Sequence, residues 1–188
     1  MTFYSIIFGI LFLGAVRELL VSIVEANVLK CLMALTLVLV VFNDTLYTSH
    51  YIEQERGIYT LEMKLLDLVN FLVLACSIFF LSPNDNIFYR LDTSTNYYNP
   101  GIFWGLLVIY WLFAGIWNYC AIKTSKKKAE SVTWVNWAIG MLLLASTILA
   151  FLNLKNINII ISSACALAFI VYIGIYKPLA SRKNRVAL

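Results

Sequence analysis

The chain has 188 residues, of which 62% are hydrophobic and only 13% charged, with a net charge of +4. A soluble domain carries roughly 45–50% apolar and about 25% charged residues. This excess excludes a single aqueous-phase core and points to one all-α, polytopic membrane domain over residues 1–188.

In chain order the first span is expected at about 3–24. MTFYSIIFGILFLGA lacks the positive n-region of a secretory signal, so it reads as a retained helix. Its second half is polar, with Arg17, Glu18, Ser22 and Glu25. Glu18 with Arg17, and Glu25 with Lys30, are expected to form charge pairs at the far side of this span or to line a small aqueous vestibule.

Spans two and three, at about 28–48 and 65–81, are less apolar. Cys31 to Phe42 and Phe71 to Leu81 are the uninterrupted stretches, 12 and 11 residues long. A crossing needs about 20, so Asn43, Asp44, Asp67 and Asn70 must be drawn into the spans. Helix-forming residues continue through HYIEQER, Gly57 suits a left-handed C-cap, and Thr60 an N-cap with Glu62 in the first turn. The expectation is two long antiparallel helices turning at about residue 58.

Folded about that turn, Asp67 comes level with His50, and Asp44 with Asn70. Asp67, Asn70, Leu74 and Ser77 make one helical stripe, and Thr36, Asn43, Tyr47 and His50 another. Polar stripes turn away from lipid, where exposing them is costly. One consequence is a cation or proton site built by Asn43, Asp44 and Asp67. The plainer reading, adopted from the sequence, is that His50–Asp67 and Asp44–Asn70 are structural contacts near the headgroups, because both carboxylates lie towards the span ends.

Spans four, five and six are expected at about 102–122, 132–151 and 157–176. Gly101 and Gly105 open the fourth at a spacing of four, and Ser162 and Ala166 repeat that spacing in the sixth. Small residues four apart let helix backbones approach, within a subunit or between the copies of a homo-oligomer. Trp104, Trp111, Trp117, Trp134 and Trp137 read as interfacial anchors. Pro83, Pro100 and Pro178 all sit at span ends, so no broken helix of the transporter type is expected.

Six spans place both termini on one side. Assigning that side to the cytoplasm puts Arg56, Lys64, Lys123, Lys126, Lys127, Lys128, Lys177, Arg182, Lys183 and Arg185 inside. Arg17, Lys30, Arg90 and Lys155 are then outside, so ten of the 14 basic residues obey the orientation rule. The exposed inner surface is the hairpin tip around Glu53 and Arg56 together with the loop of Lys126, Lys127 and Lys128, suited to anionic lipid or an acidic cytosolic partner. So small a basic footprint excludes nucleic acid.

Enzyme chemistry has little footing. The chain holds one histidine, no His-Glu-x-x-His pattern and no Cys-x-x-Cys pair. Cys31, Cys76, Cys120 and Cys165 fall singly in four spans, as small apolar residues do. No metal and no cofactor are expected. The sequence therefore reads as a non-enzymatic, multi-pass protein of a bacterial inner membrane. Its expected role is as an oligomeric sensor, anchor or regulatory subunit for a cytosolic partner, in a setting such as bacterial defence. The alternative is a small ion or solute channel or transporter subunit using Asp44 and Asp67.

Overall fold

A bilayer interior has no water to satisfy peptide groups, so a chain this apolar must close its backbone hydrogen bonds within each segment. The computed structural model describes residues 3–54, 60–81, 99–125 and 133–176, with side chains over 6–45, 60–81, 99–117, 119–120 and 137–174. Among them the fold is all-helical: α1 (Phe3–Val24), α2 (Val28–Gln54), α3 (Leu61–Leu81), α4 (Pro100–Ser125), α5 (Thr133–Phe151) and α6 (Lys155–Val171). A π-helical turn over Tyr172–Tyr176 continues α6.

Five of the six are long and apolar enough to cross a membrane. The remaining one is the fifth, Thr133–Phe151; its 19 residues rise about 28 Å at 1.5 Å each. The surface is apolar on every helix: Leu13, Phe42, Leu72, Leu112, Met141 and Ile160 are all exposed. The buried set meanwhile includes Glu18, Lys30, Asp67, Asn70 and Asn158. Large apolar groups outside and polar groups inside invert the pattern of a water-soluble bundle. The molecule is a multi-pass membrane protein by this architecture.

The helix ends follow local chemistry. Ala26 and Asn153 take left-handed φ values of 51° and 55°. Asn27 N–H bonds Ser22 O at 3.2 Å and Leu154 N–H bonds Leu149 O at 3.1 Å, the six-to-one bond of a Schellman cap. Asn27 then caps α2, its Oδ1 accepting Lys30 N–H at 3.2 Å. Thr60 caps α3 as expected, its hydroxyl accepting Met63 N–H at 3.4 Å, with Glu62 in the first turn. Asn99 caps α4 through Ile102 N–H at 3.1 Å, with Pro100 at the first helical position. Gly57 lies outside the described residues.

An L-residue in the left-handed region costs roughly 1–2 kcal/mol, and Asn pays less of it than Ala. Replacing Ala26 by Gly relieves that strain at some entropic cost in the unfolded chain. Ala26→Gly is therefore expected to stabilise by about 0.5–1 kcal/mol, read as a higher melting temperature in detergent.

The six helices close a ring in the order α1–α2–α6–α5–α4–α3, with α3 returning to α1 and α2 also touching α3 and α4. The two helices of the hairpin expected between spans two and three do touch, but among the described residues that contact is a minor one. The second helix packs chiefly on α1 and α6, and the third on α4. Phe8 meets Phe71 edge-on at 4.6 Å, and Gly14 faces Ile78, so α1 and α3 run parallel with a register of 63–64 residues (71 − 8 and 78 − 14). That register carries the α1–α2 turn about 10 Å beyond the end of α3.

Gly101 faces the Phe151 ring, a Cβ there falling 2.8 Å from it, and Gly105 faces Thr147. Both contacts lie within one subunit, between α4 and α5. Ser162 and Ala166 are buried in α6.

Candidate intramembrane carboxylate site

The third helix presents its expected stripe inward, with Asp67, Asn70, Leu74 and Ser77 all buried. Asp67 is 3% exposed and Asn70 2%. On α2, Thr36 is buried, and Asn43 and Asp44 are half-buried. His50 and Glu53 belong to the far end of α2, where side chains are outside the described residues; Arg56, Lys126, Lys127 and Lys128 lie outside them altogether.

The residue that joins the two stripes is Tyr110 of α4, 2% exposed. Its hydroxyl hydrogen-bonds Asp44, and Asp67 and Tyr172 lie within electrostatic reach of it. Four elements thus converge: α2, α3, α4 and the π-turn after α6. The outward shift of α1 and α2 accounts for this. Tyr110 lies ten residues into α4 and Asp44 sixteen into α2, a difference of about 9 Å that the 10 Å shift cancels.

Asp44 reaches across the bundle to Tyr110, a partner the sequence reading did not include. Asn70 Oδ1 is buried without a hydrogen-bond partner among the described residues. The His50–Asp67 contact falls outside the described side chains.

Two carboxylates, a phenol and a free amide oxygen offer only oxygen donors to a guest. Such a set attracts a proton or a small cation and repels anions. The described residues contain no group of three or more His, Cys, Asp or Glu arranged to hold a metal ion. Tyr110 and Tyr172 carried no sequence signal: each is a lone hydroxyl in an apolar run, indistinguishable by pattern from a packing aromatic.

A second polar region lies at the opposite end. Arg17 Nη1 bonds Glu18 Oε1 at 2.8 Å, and Lys30 Nζ bonds Glu25 Oε2 at 2.8 Å. These are the two charge pairs expected from the sequence. Glu18 and Lys30 are buried, while Arg17 and Glu25 reach the surface, so each pair stretches from the bundle to its rim. No protein-family model, no curated protein and no solved structure matches the chain.

Proposed function

We propose that the protein binds a proton or small monovalent cation inside its helical bundle and acts as a small cation channel or carrier subunit. The observation that carries this reading is the hydrogen bond of Asp44 to Tyr110 with buried Asp67 within electrostatic reach of the same hydroxyl, inside a ring of apolar helices. Ionisable side chains at membrane depth cost roughly 2.5–3.5 kcal/mol each on insertion scales, and they mark ion or proton pathways where they occur. A pair of contacts made only to hold two helices together has cheaper solutions among the small residues already used at Gly101 and Gly105.

The setting proposed with it is a bacterial plasma membrane, both termini cytoplasmic and the subunits homo-oligomeric. The test is direct. Purified protein in liposomes is expected to dissipate an imposed proton, sodium or potassium gradient faster than empty liposomes. Flux equal to that of empty liposomes for all three cations overturns the reading.

That result would favour a second reading, an anchor or regulatory subunit for a cytosolic partner, for instance in defence. One observation supports it. The uninterrupted apolar run of α2 ends at Phe42, yet the helix continues to Gln54. The last twelve residues rise about 18 Å past that run, a length of helix suited to docking such a partner.

A further inference from the structure

Most serine and threonine hydroxyls of this bundle bond the backbone of their own helix. Buried Thr36 and Ser77 and half-buried Thr147 each donate to the carbonyl four residues back at 2.8–2.9 Å, and buried Ser22 donates to Leu19 O at 2.8 Å. Ser146 does not: it is wholly buried, and its Oγ has no partner among the described residues. Trp104 Nε1, equally buried on α4, has none either. Ser162 turns to a side chain instead, donating to Asn158 Oδ1 at 3.2 Å, and both of these are buried.

These four residues share one level. Gly101 faces Phe151 and Gly105 faces Thr147, so α4 and α5 pair antiparallel with residue numbers summing to 252. Ser146 therefore stands opposite residue 106, beside Trp104. The α5–α6 turn centres on Asn153, seven residues after Ser146, while Asn158 and Ser162 follow it by five and nine. Ser146 thus lies between them in depth, within about 10 Å of that end of the bundle.

We propose that Trp104, Ser146, Asn158 and Ser162 line a hydrated chamber, entered by water from the end that carries the α5–α6 turn. A water site needs two to four polar partners in one place. The indole N–H, the Ser146 hydroxyl and the Asn158–Ser162 pair supply them from three helices. The charge pairs Arg17–Glu18 and Lys30–Glu25 stand on the two remaining helices that project at this end, giving the mouth a polar rim.

One step deeper, each stripe turns apolar. Leu107 follows Trp104 by three, Leu143 precedes Ser146 by three, and Cys165 follows Ser162 by three; all are fully buried. Below them come Tyr110 and, past the Trp111–Phe169 edge contact at 5.5 Å, Tyr172. The chamber stands on its own observations. That it serves as the outer half of a route to Asp44 and Asp67, closed by the Leu107–Leu143–Cys165 layer, rests on the cation reading above.

The experiment is cysteine accessibility in sealed proteoliposomes, with Cys31, Cys76, Cys120 and Cys165 replaced. Ser146→Cys and Ser162→Cys are expected to react with a small, charged, membrane-impermeant thiol reagent at least tenfold faster than Leu143→Cys. Equal rates for Ser146→Cys and Leu143→Cys overturn the chamber. A melting curve adds an independent check. Removing a dry, unpaired hydroxyl raises stability, whereas removing one bound to water does not. Ser146→Ala is thus expected to leave the melting temperature unchanged or lower it, and a clear rise refutes hydration. Fast labelling in protein whose Asp67→Asn variant still carries full flux keeps the chamber and discards the carboxylate reading.

Discussion

Asp67→Asn is expected to abolish cation flux while leaving the melting temperature within a few degrees of wild type, and Asp67→Leu to lower both. Asn keeps the shape of the side chain and its capacity to hydrogen-bond, but cannot hold a proton or charge-pair with a cation. Asp67 is almost fully buried and faces the same tyrosine as Asp44, so Asn also removes one of two like charges from one site. Nothing in that exchange opens a void. Leu keeps the volume but strands whatever Asp67 bonds, and breaking a buried polar pair from one side costs about 3–5 kcal/mol. The paired readouts separate the two roles. Retained flux in Asp67→Asn makes the carboxylate structural, whereas loss of flux from a protein that melts normally makes the charge functional.

The class and most element positions were legible because they rest on hydropathy and helix caps, which are local. Thr60, Pro100 and the Asp67–Asn70–Ser77 stripe are examples: periodicity alone says that those three turn inward together. The pairing of helices is a different matter. Spans two and three are neighbours in sequence, and a short connection normally implies neighbours in space. Here α2 is drawn to α1 and α6 instead, since its small and branched inward residues Ala34, Leu37 and Val41 are fully buried in the main core. No local signal encodes that preference, nor the 63–64-residue register of α1 on α3 that moves Asp44 outward. Tyr110 was invisible for the same reason. Its role depends on which helix stands opposite, and a lone tyrosine between Ile109 and Trp111 reads as packing.

The orphaned polar atoms were equally out of reach of pattern. Ser146 sits in LLLASTILA beside Thr147, and both look like helical hydroxyls that bond their own backbone. Only Thr147 does so.

Tyr110→Phe tests the join between α2 and α4, and its magnitude carries information that its sign does not. The change removes one oxygen from a fully enclosed ring, so packing stays intact and the loss is that of the hydrogen bond to Asp44. Interhelical hydrogen bonds between neutral groups in membrane proteins couple by about 0.6 kcal/mol on average and reach about 1.7. Bonds to a charged group contribute about 1.5–3 kcal/mol. A double-mutant cycle of Tyr110→Phe with Asp44→Asn, followed by reversible unfolding in mixed micelles, isolates that coupling. A cation site at rest holds its carboxylate ionised and ready, so the expected coupling is about 1.5–3 kcal/mol. It should be largest in the absence of sodium or potassium and should shrink as a bound cation takes over the charge. A coupling below about 0.6 kcal/mol that ignores added cation would mean that Asp44 is an ordinary neutral strut. The tyrosine would then hold helices together and nothing else. Flux in the Tyr110→Phe protein should follow the same division: a positioning hydroxyl lowers apparent cation affinity several-fold with the maximal rate retained, whereas a strut leaves both unchanged.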